Sequence, residues 1–214
     1  ILDDYEKLGS EVLFHVEGHP LTIEVIESSL FGRNVSQWRS ALGRLRYIKD
    51  RNSMDVLSIS FDQLEEEKKE IFLDIACFLS DNKIMGYSKD EAKLFLSFRG
   101  FDYKNGIPTL MEKSLITCIS ENIYMHRLLV DLGQSIVKEK SPKEPLKWSR
   151  LWDCKDFEKA MLDNEAYENL EVIYIGCDLF SGTERADGLS KIRHLNLLKL
   201  EGVNFSGSLN HLLN

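Results

Sequence analysis

The chain has 214 residues and a formal net charge of -8, from 27 basic and 35 acidic side chains, with 43% hydrophobic and 29% charged residues. That length favours two or three small modules, and the composition is that of an ordinary folded protein rather than a disordered one. Cations dispersed among a larger number of acids disfavour binding to nucleic-acid phosphates or an anionic membrane surface. No apolar run approaches the roughly 20 residues that span a bilayer, and the start Ile1-Leu2-Asp3-Asp4 lacks a basic leader, which points to a cytosolic protein.

Tyr5 to Ile48 has apolar residues at helical spacing, as in Leu8 and Val12 and in Trp38, Leu42 and Leu45. Gly18-His19-Pro20 interrupts it, since Gly ends one helix and Pro suits the first turn of the next, so Leu21 to Leu30 is expected as a separate helix. Ser36 is the expected N-cap of the Trp38 helix. Met54 to Phe61 reads as a short helix. Glu65 to Leu79 reads as a longer one, with Phe72, Ile75 and Leu79 as its buried stripe and Glu65-Glu66-Glu67 near the positive dipole end. Ser88-Lys89-Asp90-Glu91 has capping-box spacing and opens a helix through Leu94 and Phe95.

Ile107 to Lys113 is expected as a short helix. Leu115 to Ile119 and Ile123 to Met125 are β-rich runs around Ser120-Glu121-Asn122, hence a hairpin, and Leu128, Leu132 and Ile136 mark a further helix. Helices, hairpin and closing helix in that order make a winged helix between Met54 and Lys140. Ser141-Pro142-Lys143-Glu144-Pro145 is the clearest linker. Beyond it Leu170, Ile173 and Ile175 recur about 25 residues later as Leu195, Leu198 and Leu200, as Phe180-Ser181-Gly182 does as Phe205-Ser206-Gly207, an offset within the leucine-rich-repeat range. Two such units are not stable alone, so more should follow. The start at Ile1 rather than Met and the end at Asn214 within the repeat pattern are those expected of a piece of a longer polypeptide.

The expected fold class is therefore mainly α (α+β). It divides into a helical subdomain (1–52), a winged-helix subdomain (53–140), a linker and helix (141–165) and incomplete first leucine-rich repeats (166–214). Cys77, Cys118, Cys154 and Cys177 are widely separated, form no C-x-x-C and read as reduced core thiols.

Four segments together resemble plant disease-resistance receptors that carry a TIR domain, a nucleotide-binding NB-ARC module and leucine-rich repeats. Gly18-His19-Pro20-Leu21 is similar to the family's G-L-P-L motif, with His in place of the first Leu. Ser60-Phe61-Asp62-Gln63-Leu64 followed by Lys69-Glu70-Ile71-Phe72-Leu73-Asp74-Ile75-Ala76-Cys77-Phe78 resembles the opening of its winged-helix subdomain. Glu112-Lys113-Ser114-Leu115-Ile116 resembles its E-K-S-L-I run, and Met125-His126-Arg127-Leu128-Leu129 stands where the family has M-H-D-L-L.

The resemblance implies a receptor that closes around ADP at rest, opens on exchange for ATP, and oligomerises in defence signalling in the cytoplasm, with the nucleus as a second compartment. It implies a nucleotide site that includes Gly18, Pro20, Leu21 and His126, with Pro20 near the adenine and His126 at the ADP β-phosphate. An imidazole donor suits a phosphate oxygen. Arg127 departs from the acid of M-H-D, and a cation there implies a less securely held resting state. No G-x-x-x-x-G-K-[ST] loop occurs in the sequence, so neither ADP nor ATP is an expected cofactor of this chain by itself. Expected partners are the nucleotide-binding lobe and further repeats of the same receptor, other copies of it, and an unnamed pathogen effector or guarded host protein, with no nucleic acid and no membrane.

Other readings rank lower. His15-Val16-Glu17-Gly18-His19 is not H-E-x-x-H, and Gly18 with Pro20 breaks the helix that would align both rings, so metal is not expected. Leu96-Ser97-Phe98-Arg99-Gly100 looks like the opening of a TIR domain, but the next run, Gly106-Ile107-Pro108-Thr109-Leu110, matches a winged helix. Trp148 and Trp152 read as interdomain packing. No acid pair stands beside a nucleophile, so an enzyme is not expected. The main alternative is a DNA-binding winged helix reading with Ile107 to Lys113, where Glu112 and the wing's Glu121 oppose Lys113.

Overall fold

The computed structural model describes residues 2–15, 19–46, 53–78, 87–139, 144, 147–162, 168–176, 183–185, 189, 191–202 and 204–206. Gly18, Leu79, Cys177, Phe180 to Gly182 and nearly all of the expected 141–145 linker lie outside them.

Helices α1 (Leu2–His15), α2 (Pro20–Leu30) and α3 (Val35–Arg46) form the first unit. Its core is Val12, Ile26, Leu30, Ala41, Leu42 and Leu45, with Tyr5 edge-on to Trp38 and Arg46 paired with Glu11 on the surface. The N-cap of α3 is Asn34, not Ser36: its Oδ1 accepts from the Gln37 N–H and Gln37 Oε1 accepts from the Asn34 N–H, both at 3.0 Å. This reciprocal box satisfies two otherwise orphaned donors, which a cap two residues later could not do for a helix beginning at Val35.

The next unit holds α4 (Ser53–Asp62), α5 (Glu66–Phe78), α6 (Lys89–Phe98), α7 (Tyr103–Glu112) and α8 (Arg127–Lys138). A three-stranded antiparallel sheet of order β1-β3-β2 accompanies them, from β1 (Tyr87–Ser88), β2 (Thr117–Ile119) and β3 (Asn122–Tyr124). This is the expected winged helix, with β1 as a strand that its two-residue length hid from pattern reading. Instead of a stripe, α5 buries every residue from Ile71 to Phe78, Asp74 included, so it is the central helix. Gly133 of α8 permits the closest approach to it, since a Cβ there would stand 2.4 Å from the Ala76 Cβ. Ser88 caps α6 as expected, through the Asp90 N–H. Helix α7 starts four residues earlier than the apolar pattern indicated, because Asp102 Oδ1 accepts from the Lys104 N–H at 3.0 Å and fixes a polar first turn.

The third unit holds β4 (Arg150–Leu151), α9 (Cys154–Leu162), β5 (Val172–Gly176), β6 (Thr183–Arg185), β7 (Leu197–Glu201) and β8 (Asn204–Ser206). Strands β4, β5 and β7 pair in parallel, with Ile173 opposite Leu198 and Ile175 opposite Leu200, which realises the 25-residue offset as adjacent strands. Strands β6 and β8 form a second parallel pair, Glu184 opposite Phe205.

The hydrophobic core does not stop where the linker lies in sequence. Phe72, Ile75 and Phe78 of α5 share one cluster with Trp148, Leu151, Trp152, Phe157, Val172 and Ile173. Phe78 lies 5.3 Å from Tyr174, and Trp148 stacks on Trp152 at 5.7 Å with Lys138 Nζ over both rings, so the two tryptophans are interdomain packing. Across the same seam, Arg150 Nε donates to Asp74 Oδ1 at 2.5 Å, Arg99 Nε donates to Asp74 Oδ2 at 3.2 Å, and Arg150 also donates to Glu70 and Arg99 to Glu171. Burial pushes the Asp74 carboxyl up while both guanidiniums pull it down; burial alone would lower Arg150, but Asp74 and Glu70 hold it protonated. Both Asp74 oxygens are matched by cationic donors, which is the geometry of an ionised cluster. The Arg of the TIR-like stretch thus serves this cluster.

Among the cysteines, Cys77 and Cys118 are free, and burial raises the pKa of both thiols. Cys154 is disulfide-bonded, so the expectation of four reduced thiols is corrected at that position.

Candidate functional site

Three chain segments enclose one cleft of about 250 Å³: the start of α2 (Leu21, Glu24), the turn after α7 (Ser114 to Thr117), and the end of β3 running into the start of α8 (Tyr124 to His126, Leu129). Each segment is placed by a local device. His19 is the N-cap residue of α2, in extended conformation, and Pro20 occupies the first helical turn, where its missing N–H leaves no bond unmade. Pro20 is exposed there, and Leu21 is half-buried against the core.

The α7 turn closes with the Leu115 N–H donating to the Leu110 carbonyl and the Ser114 N–H to that of Met111, with Ser114 left-handed at φ 55°. Glycine is usual at such a site. Ser114 is held instead by a 2.6 Å bond between its Oγ and that of Ser28 in α2, which ties the first unit to the winged helix.

His126 is the N-cap of α8, with Nδ1 accepting from the Leu128 N–H at 3.1 Å. A neutral imidazole that accepts at Nδ1 carries its proton on Nε2, so the exposed His126 ring offers one N–H donor. The His19 ring stands edge-on to it, 6.5 Å between centroids.

Of the residues singled out from sequence, Leu21 and His126 line the cleft, Pro20 precedes Leu21 in the first turn of α2 and is not among the lining residues, and Gly18 lies outside the described residues. Arg127 is turned along α8, its Nε donating to Asp131 Oδ1 at 2.8 Å with both side chains substantially exposed. Sequence reading did not single out His19 or the Ser28–Ser114 pair. The His that replaces Leu in the G-L-P-L-like run was the available signal for the first; nothing local pointed to a hydroxyl pair 86 residues apart.

The order of helices, three-stranded sheet and closing helix defines a winged-helix domain, and the exposed residues of α7 include both Lys104 and Glu112. Residues 65–141 match the winged-helix domain of Roq1-like disease resistance proteins. The chain is 34% identical over 199 residues to disease resistance protein RUN1 of Vitis rotundifolia, covering 92% of this chain and 15% of that protein. It is 32% identical over 210 residues to TMV resistance protein N of Nicotiana glutinosa, covering 98% of this chain and 17% of that one. The corresponding figures for disease resistance protein RPP2A of Arabidopsis thaliana are 32% over 198 residues, 92% and 15%. The chain belongs to the plant disease-resistance proteins and spans about one sixth of the length of these relatives.

Among the described residues, no helix is long and apolar enough to cross a membrane.

Proposed function

We propose that this chain is the regulatory segment of an intracellular immune receptor, a non-enzymatic part that couples ADP or ATP state to a leucine-rich solenoid beginning at β4, β5 and β7. The supporting observation is the convergence of the α2 and α8 starts on one cleft, with His126 held by its cap so that Nε2 remains as a donor. In this reading Pro20 and Leu21 pack against the adenine and His126 Nε2 donates to the β-phosphate of ADP. A winged helix that touches one nucleotide state more than the other biases the closed–open equilibrium by that difference in affinity. At about 250 Å³ the cleft falls below the roughly 300–1,000 Å³ of complete ligand pockets, so a nucleotide-binding lobe supplies the second wall.

The test uses a receptor that contains that lobe, comparing His126→Asn with His126→Ala. Asn preserves an N-cap and Ala does not. Both variants should release ADP faster, and only Ala should loosen α8; ADP retention unchanged in both would end the reading. Arg127, engaged with Asp131 rather than facing the cleft, is proposed to leave the resting state less securely held than an acid would. Arg127→Asp should prolong ADP retention, and equal retention removes that idea.

The DNA-binding alternative gains little support from the surface. Lys113 is half-buried, and the wing's Glu121 lies 3.8 Å from Lys89. Salt-sensitive binding to generic duplex at low ionic strength would reverse this ranking.

A further inference from the structure

Two helix starts meet at the cleft, and α4 packs against both helices. The starts of α2 and α8 adjoin through His19 and His126 and through Leu21 and Leu129. Helix α4 runs against α8 in the opposite direction, because Met54, Asp55 and Ser58 of its first half share a groove with Leu132, Ser135 and Ile136 of the later half of α8. Helices α2 and α4 face each other along their length: Val25 shares a core with Leu57 and Phe61, and Ile26 shares one with Val56 and Ile59.

Four buried side-chain atoms with no protein partner belong to the start of α2 and the end of α4: His19 Nδ1, Thr22 Oγ1, Ser60 Oγ and Gln63 Oε1. Thr22 and Ser60 are each 0% exposed. Thr22 lies one turn before Val25 and Ile26, and Ser60 lies one turn after Val56 and Leu57, so each hydroxyl leaves its helix on the face that meets the other. Among the described residues these are the buried side-chain nitrogen and oxygen atoms that lack a partner, and they come from two helix ends rather than from scattered places.

The chemistry of the set defines its guest. Two hydroxyls can each donate and accept, the Gln63 oxygen only accepts, and an imidazole nitrogen does one or the other. None of the four carries a full charge in its ordinary neutral form. An anion would meet the Gln63 acceptor, a cation would meet the hydroxyl protons, and an apolar guest would satisfy none of them.

A guest that both donates and accepts in a polar, enclosed place is water, which in buried sites makes about three hydrogen bonds to such groups. We propose that the α2–α4 seam contains a built hydration site, in which internal water bridges Thr22, Ser60, Gln63 and His19. Through His19 Nδ1 the site fixes the ring that stands against His126, so its water is a positioning element behind the cleft. The proposal does not depend on what the cleft binds.

The experiment uses the whole 214-residue chain. A crystal structure of the wild type should show ordered water within about 3.2 Å of both Thr22 Oγ1 and Ser60 Oγ. In urea, Thr22→Val and Ser60→Ala should each lower the folding constant about 5- to 30-fold by stranding the water's remaining partners. The double variant should fall little below the worse single one, because both hydroxyls serve the same guest. Strictly additive losses, neutral or stabilising single variants, or hydroxyls bonded to their own helix carbonyls with no water between them would each overturn the proposal. If a variant does not fold, water-to-amide cross-relaxation at Thr22 and Ser60 in the wild type decides: long-lived water supports the site, and its lack refutes it.

Discussion

Where α5 meets β4, Asp74 and Arg150 are matched oxygen to nitrogen at 0% and 1% exposure, and the apolar cluster passes from Phe78 to Tyr174 without a break. Where α2 meets α4, equally buried Thr22 and Ser60 find no partner in the protein. Both seams bury polar groups, yet only the first satisfies them with protein. Separating the first uncovers a charge network and an apolar face together. Separating the second uncovers apolar side chains of α2 and α4 together with hydroxyls that have no protein partner. The winged helix is thus joined to the strands that come after it by matched buried charges and apolar packing, and to the helices that precede it by apolar packing and hydroxyls.

The sharpest way to break that contrast is Arg150→Met. Removing one partner of a buried ion cluster costs up to about 3–5 kcal/mol, here because Asp74 Oδ1 loses its cationic donor and Arg99 compensates the carboxylate alone. Hydrogen exchange should accelerate at α5 and β5 together, while α1 and α3 keep their protection; loss confined to β4 would show that the two units are not joined as described. Gly133→Ala should come next, at about 1–3 kcal/mol, since the added methyl meets the Ala76 Cβ at a backbone contact that neither helix can relieve by a rotamer change. Urea unfolding of that variant should weaken the winged helix, and a neutral result would mean that α5 and α8 can separate without loss.

Asn34→Ala sharpens the other side. Loss of the reciprocal cap should remove about 1 kcal/mol from the first helical unit and leave the β5 amides untouched. The smallest effect belongs to Lys113, whose pKa is lowered by burial and by the neighbouring Arg33 charge. A lysine whose folded pKa is depressed weakens the fold while both states are protonated, and the fold gains as pH rises from the folded pKa towards about 10.4, the unfolded value. Lys113→Met should therefore stabilise at neutral pH, by less than about 0.5 kcal/mol given the exposure of the side chain, with the gain fading at alkaline pH.

Much of this was legible in the chain. Apolar spacing located the helices because each has a face to bury, and the 25-residue recurrence of Ile173 and Ile175 in Leu198 and Leu200 became adjacent strands because parallel pairing places equivalent positions side by side. Pro20, Leu21 and His126 were legible as motif residues, though what brings Leu21 and His126 to one cleft, the meeting of two helix starts, is a tertiary fact. The rest was hidden for identifiable reasons. Asp74 sits in an apolar run and reads as an interruption until Arg99 and Arg150, 25 and 76 residues away, arrive beside it. Ser36 was the expected cap because serine caps well, while Asn34 caps the helix because the Gln37 side chain returns its bond. The core crosses the Pro142 and Pro145 segment because a break in the backbone pattern says nothing about what packs on either side of it.

The stacked Trp148–Trp152 pair has an optical consequence. Of three tryptophans in the chain, two lie in van der Waals register under the Lys138 ammonium, and the third, Trp38, stands with Tyr5 in the opening helical unit. Coupled indoles under a cation emit and give circular dichroism unlike a lone indole beside a phenol. Near-ultraviolet spectra should therefore report the first helical unit and the seam between the winged helix and the strands as separate signals, without any introduced label.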